Sequence, residues 1–127
     1  MTQNRESGQT LIVLLAFMTM AITLTSAAVV VTVASIRATS VYSAGQNALS
    51  LAESGADNAI MRLIRDASYS GETLTLPEGV AIISVTGSAP TKTIISEGVV
   101  GDYRRKIQVV VNQSNNAVSV TSWSEVP

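Results

Sequence analysis

Between Glu6 and Arg37 the chain carries no charged residue, and the stretch Gly8–Ile36 reads GQTLIVLLAFMTMAITLTSAAVVVTVASI. As a helix rising ~1.5 Å per residue, such a run extends ~45 Å, more than the ~30 Å of a bilayer's hydrocarbon core. A secretory signal has a shorter apolar region followed by a small-residue cleavage site. Ala27-Ala28 and Ser35 supply small residues for such a cut, but the run continues directly into further helical pattern. A membrane-spanning segment is therefore the first expectation. Its Thr and Ser residues (Thr10, Thr19, Thr23, Thr25, Ser26, Thr32) can return their hydroxyls to the preceding helical turn, which makes them tolerable in lipid. Thr19/Thr23 and Ala27/Val31 form strips at four-residue spacing. Small and hydroxyl side chains there suit close helix–helix packing better than a lone anchor, where Leu and Ile would serve. The plain alternative is a single-pass anchor.

In a chain of 127 residues this run leaves material for one small core. Net charge is −1, which argues against a polyanionic partner through bulk charge. The chain has no Cys and no His. Disulfides and thiolate metal sites are thereby excluded, as are the usual catalytic base and the commonest transition-metal ligand. Lys92 and Lys106 are the only lysines, so the sequence still permits a Ser-Lys pair. No acidic spacing matches a calcium loop. We expect no enzyme activity and no cofactor.

Helical pattern resumes after Arg37. Val41, Ala44/Gly45, Ala48/Leu49, Ala52, Ala56, Ala59/Ile60 and Leu63/Ile64 recur at three and four residues, the mark of one buried stripe. Glu53, Asp57, Arg62, Arg65 and Asp66 fall mostly off it. The stripe is rich in Ala, so its partner approaches closely; Ala48, Ala52 and Ala56 are the candidate packing positions. Gly45 and Gly55 each cost ~1 kcal/mol against Ala in a helix and mark either close packing or a soft point. Ser70-Gly71 is the expected helix end, with Gly71 as a left-handed cap.

Beyond Gly71 the period becomes two. Thr73–Leu76 is a short extended piece ending at Pro77. Strands are expected at Val80–Thr86 (Ala81, Ile83 and Val85 on one face), Thr93–Val100 (with a bulge or bend at Gly98), Arg104–Val111 and Ala117–Trp123 (Val118 and Val120 inward). Gly87-Ser88-Ala89-Pro90, Gly101-Asp102 and Ser114-Asn115-Asn116 are the turns between them. The expected fold class is α+β: a long N-terminal helix, hydrophobic then amphipathic, packed on an antiparallel meander of about four strands. One sheet face covers the Leu49–Ile64 part of the stripe; the other meets water or a neighbouring subunit.

The order of these parts resembles the type IV pilin and pseudopilin superfamily. Glu6-Ser7-Gly8-Gln9-Thr10-Leu11-Ile12 is similar to the family's Gly-Phe-Thr-Leu-Ile/Val processing motif. Ala48-Leu49-Ser50-Leu51-Ala52-Glu53-Ser54-Gly55-Ala56 resembles the helix of the subgroup containing minor, tip-type pilins, and Ile95-Ser96-Glu97-Gly98 followed by Arg104 also fits. The resemblance implies a leader over residues 1–8, cut by a prepilin peptidase between Gly8 and Gln9, with Gln9 the new and methylatable terminus. It implies a membrane and filament-core helix over 9–36, its amphipathic continuation over 37–70, and a β head over 71–127. The partners it implies are other pilin subunits, the prepilin peptidase, the assembly machinery and, before assembly, membrane lipid, with the leader on the cytoplasmic side. The family's glutamate, fifth in the mature chain, falls on Val13, and Gln9 stands where the family usually begins its mature chain with a phenylalanine.

Two surface features complete the candidates. Arg104-Arg105-Lys106 is a basic triplet, but on a strand Arg105 points opposite to its neighbours; a solvated strand edge is expected, with a neighbour's acidic residue or DNA as the alternative contact. Trp123 is expected to cover the sheet, with surface adhesion as the alternative. The competing class of function is a non-polymerising single-pass membrane protein with a small extracytoplasmic binding domain.

Overall fold

The computed structural model describes residues 3–115 and 117–127, with side chains from Gly8 onward. One helix, α1 (Gln3–Arg65), is followed by five strands, β1 (Gly71–Leu76), β2 (Gly79–Ser88), β3 (Thr91–Val100), β4 (Tyr103–Ser114) and β5 (Ala117–Val126). They form one antiparallel sheet in the order β1-β2-β3-β4-β5. The α+β class holds, with five strands: the short piece before Pro77 pairs fully with β2, from Gly71 opposite Ser84 to Leu76 opposite Gly79. The chain divides into two compact units, residues 1–40 and 41–127.

Four two-residue hairpin loops set the strand order. Leu76 pairs with Gly79, Ser88 with Thr91, Val100 with Tyr103 and Ser114 with Ala117. Tight loops need unusual backbone, and Gly101 (φ 58°) and Asn115 (φ 49°) take the left-handed conformation there. Asn116 of the expected Ser114-Asn115-Asn116 turn lies outside the described residues.

In the second unit, residues 41–65 of α1 lie on the sheet. Ala48, Leu51, Ala52, Ala56, Ala59 and Leu63 are buried against Ala81, Ile83, Ile94, Ile107, Val109 and Val111. Removing an aliphatic side chain such as Leu63 or Ile94 from water contributes ~1.5–3 kcal/mol. The alternation expected in β2 is present: Ala81 and Ile83 are buried while Ile82 is exposed. Glycine and alanine let helix and sheet approach almost backbone to backbone. A Cβ on Gly98 would run into the Ala48 carbonyl oxygen and come within 2.7 Å of the Ala52 nitrogen. A Cβ on Gly55 would collide with Ser96 Oγ and lie 3.3 Å from Ala81 Cβ and Ile83 Cγ1.

Several local expectations change. Gly98 is no bulge: it sits in unbroken register between Ala81 and Arg105 and serves close approach. The register shift lies at Val110/Val111, where β5 carries an extra residue, Thr121. Val120 faces the helix-bearing side opposite the buried Val111, as expected, but β5's place at the sheet edge leaves it 48% exposed. Ile64 and Val41 are exposed, and Leu51 and Gly55 take the buried places. The helix ends at Arg65 and not at Ser70-Gly71. Asp66 stops it by accepting from Ser68 N (2.8 Å) and Ser68 Oγ (2.5 Å), a side-chain turn that competes with helical bonding. Gly71 has φ 128°, as expected for glycine, but it opens β1, where a Cβ would strike the Ile83 carbonyl.

The sheet also satisfies the helix terminus. Gln113 Nε2 donates to the Leu63 carbonyl at 3.2 Å, and the buried Lys92 ammonium donates to the Ala67 carbonyl just beyond the last turn. A cation at a helix C-terminus meets the negative end of its dipole.

Candidate functional site

From Gly8 to Ser40 every side chain of α1 is exposed, including Leu11, Ile12, Leu14, Leu15, Phe17 and Ile22. The helix is long and apolar enough to cross a membrane, and among the described residues its most apolar window is unburied. Core helices of soluble proteins share the composition, but they are covered by their own fold. Here the most apolar window is 0% buried among the described residues, as suits a segment able to span a membrane.

The polar groups in this run are turned inward on the helix. Thr19 Oγ1 donates to the Ala16 carbonyl and Thr23 Oγ1 to the Met20 carbonyl, each at 2.8 Å. Thr25, Ser26 and Thr32 donate to Ala21, Ile22 and Ala28 at 2.7, 2.8 and 2.9 Å, and Thr39 donates to Ser35 at 3.0 Å. With its hydroxyl satisfied, each side chain presents mainly a methyl group or a small contour outward. This lowers the cost of placing it in hydrocarbon and preserves a surface that a second helix can approach.

The expected packing residues separate into two sets. Thr19, Thr23, Ala27 and Val31 lie on the uncovered run and are exposed. Ala48, Ala52 and Ala56 are fully buried under the chain's own sheet, so they are not available to a neighbouring helix. Gly8 and Gln9, where the resemblance would put a processing site, are helical and exposed, and a Cβ on Gly8 would meet nothing within 4 Å. Met1 and Thr2 of the leader lie outside the described residues, as do the side chains of residues 3–7.

The basic triplet belongs to β4, an inner strand, and so is no sheet edge. Arg104 pairs with Glu97 at 3.3 Å, Arg105 with Glu125 on β5, and Lys106 stands opposite Glu97 in register. Carboxylates of the same chain thus meet the triplet on both faces of the sheet, which weakens it as a polyanion contact. Trp123 pairs with Val109 on the helix-bearing face, 42% exposed at the free side of β5.

A third cluster ties the helix end to β1. Arg62 Nε lies 3.2 Å from Glu72 Oε1, and the Tyr69 hydroxyl donates to the same oxygen at 3.0 Å. Partial burial, followed by that bond to an anion, pushes the Tyr69 phenol up to about 12. The Ser68 hydroxyl and amide hold the Asp66 carboxyl below its ordinary value. Among the described residues no three His, Cys, Asp or Glu side chains gather as a metal site.

Comparison with protein-family models, with curated proteins and with solved structures finds no match for this chain. The functional reading therefore rests on the residues and their geometry.

Proposed function

We propose that this chain is a structural subunit of a pilin-type filament, held in the cytoplasmic membrane by α1 before assembly. The observation that carries the reading is the uncovered apolar run from Gly8 to Ser40, preceded by the Gly8-Gln9-Thr10-Leu11-Ile12 motif and continuous with a helix that carries a separately packed β head. A surface of this extent needs a partner twice: lipid while the subunit waits, and the helices of other copies once it assembles. Because lipid and helices are equally apolar, the exchange gains little from hydrophobicity. Its preference comes from close packing, for which Thr19, Thr23, Ala27 and Val31 supply low contours.

In this reading a prepilin peptidase removes residues 1–8 and leaves Gln9 as the terminus. Val13 stands where the resemblance would put a glutamate. A new ammonium buried without a carboxylate is costly, so this subunit suits a position where no neighbour's amine must be met, such as a tip or minor position.

The test is the mass and N-terminal sequence of the protein from cells with and without a prepilin peptidase. A chain beginning at Gln9 only when the peptidase is present supports the filament reading. A chain that keeps residues 1–8 in both removes its main support. The favoured reading then becomes a single-pass membrane protein with an extracytoplasmic β domain, to which Val13 is indifferent.

A further inference from the structure

The sheet has two free edges, β1 and β5, and neither carries the usual guards. Edge strands are commonly protected by Lys, Pro or a covering element, because their unpaired N–H and C=O groups template further pairing. Neither Gly71–Leu76 nor Ala117–Val126 contains Lys, Arg or Pro. Among the described residues nothing else pairs with their outer sides. Besides one carboxylate on each edge, Glu72 and Glu125, the guard is the register shift at Thr121, and beyond it Ser122–Val126 runs regularly against β4.

The edges also carry matching apolar groups. Trp123 on β5 is 42% exposed and Leu76 on β1 is 36% exposed. Both lie on the helix-bearing face. Trp123 stands opposite the buried Val109, and Leu74 and Leu76 stand opposite Ala81 and Gly79.

We propose that β5 of one copy pairs with β1 of the next, in parallel, so that the sheets of neighbouring heads join into one continuous sheet. This rests on the filament reading, which sets copies side by side with their helices pointing the same way. Within residues 41–127 the helix runs opposite to β3: Ala48 lies over Gly98, Gly55 over Ser96, and Lys92 reaches Ala67. Copies with parallel helices therefore have like-numbered strands in parallel. β1 and β5 share one sense in the meander, so their junction between such copies is parallel. Pairing β5 with β5 while keeping both helices on one face of the joined sheet would require antiparallel helices, which copies entering one membrane from one side do not have.

Charge selects the same sense. With Trp123 beside Leu74 in parallel, Glu72 stands by Thr121 and Glu125 by Leu76. Run antiparallel through the same pair, Glu125 would stand directly opposite Glu72, a destabilising like-charge contact. In the parallel junction the Trp123 indole covers Leu74 and Leu76 of the neighbour. Such a contact is head to tail and leaves a free edge at each end, so it propagates.

The chain has no cysteine, so single cysteines report without background. Full-length Thr75→Cys and Ser124→Cys, with tags of different size, are co-expressed and their membranes treated with a short bismaleimide. Val31→Cys is treated in parallel to report helix association. The expected result is a Thr75–Ser124 heterodimer, absent from either protein alone and lost on adding Trp123→Glu, while the Val31 product survives that change. A Val31 product without the heterodimer overturns edge pairing and leaves the filament reading standing. A dimer from Ser124→Cys alone overturns it in favour of β5 self-pairing. Absence of both products, together with an uncleaved leader, removes the filament reading as well.

Discussion

Residues 8–40 and 41–65 belong to one helix and draw on similar small residues, yet they meet opposite surroundings. In the first stretch every side chain is exposed, and the hydroxyls of Thr19, Thr23, Thr25, Ser26 and Thr32 bond to their own helix. In the second, Ala48, Ala52, Gly55 and Ala56 are buried, and the sheet comes so close that Gly98 has no room for a methyl group. The difference shows what small residues do. Against the chain's own sheet they fix a backbone-to-backbone contact that is complete within one molecule. On the bare stretch the same contours stay exposed.

The sharpest way to break this comparison is to add bulk on each side. Gly98→Ala is expected to destabilise the head by about 3 kcal/mol or more, because the obstacles are the Ala48 carbonyl and the Ala52 nitrogen, which are backbone and cannot rotate away. Gly45→Ala meets nothing within 4 Å and should stabilise the helix by up to ~1 kcal/mol. Thermal unfolding of the full-length protein in detergent, followed by Trp123 fluorescence, reads both. An unchanged melt for Gly98→Ala would show that the helix does not bear on β3.

A smaller effect separates the two stripes directly. Ala52→Leu should cost about 1–3 kcal/mol in the same melt, through overpacking of a fully buried site. Ala27→Leu, on the bare stretch, should leave the melt unchanged and weaken association between copies in the membrane, read by cross-linking at a neighbouring single cysteine. Equal effects of the two on the melt would erase the distinction.

This contrast also marks how far the residues could be read in advance. The change from a helical period to a period of two after Gly71 places the strands, and the Ala-rich stripe places the buried side of residues 41–65. What periodicity could not supply was the identity of the covering surface. Ala27 and Ala52 look alike as letters, and only the sheet over one of them tells them apart. A glycine at the centre of a helix–sheet contact leaves no apolar signal: Gly55 reads as either close packing or a soft point, and the structure makes it close packing. Gly98 looked like a bend for the same reason. Val120 does face the expected side, opposite Val111, and is exposed because β5 is an edge strand; the extra residue Thr121 instead turns Trp123 to that face, and alternation cannot show a one-residue bulge. The helix end was misread because the Asp66–Ser68 turn stops it ahead of the more conspicuous Gly71. For the candidate site, the Gly8 motif and the uncharged run were legible, whereas the pairing of Arg104 and Arg105 required knowing which strands adjoin.

Gly55 and Ser96 sharpen the covered side further. Ser96 Oγ is buried without a hydrogen-bond partner and occupies the place that a Gly55 Cβ would need. Gly55→Ala alone should therefore destabilise by about 1–2 kcal/mol. Ser96→Ala alone should be neutral or stabilising by up to ~1 kcal/mol, since it removes an unsatisfied buried hydroxyl. Combined, the two should be less costly than their sum by at least ~0.5 kcal/mol, as expected for residues sharing one space. Additive behaviour would mean that the helix and β3 do not touch at this point.

The smallest expected effect comes from the junction between helix and sheet, where Tyr69, Glu72 and Arg62 meet. Partial burial and the bond to Glu72 raise the Tyr69 phenol from 10.0 to about 12 in the folded protein. A raised value means that the folded state keeps the proton after the unfolded chain has released it. The stabilising contribution is therefore complete below pH ~10 and is lost as pH rises from there toward 12. Against Tyr69→Phe, the wild type should hold a constant stability difference up to that point and then fall relative to the variant. An ultraviolet titration should show a late phenolate component that Tyr69→Phe lacks. Glu72→Gln should move that component downward, because the phenol then loses its anionic acceptor, while the contribution from burial remains. A titration indifferent to Glu72 would assign the whole shift to burial and leave the last turn of α1 joined to β1 by the Arg62–Glu72 pair and by packing.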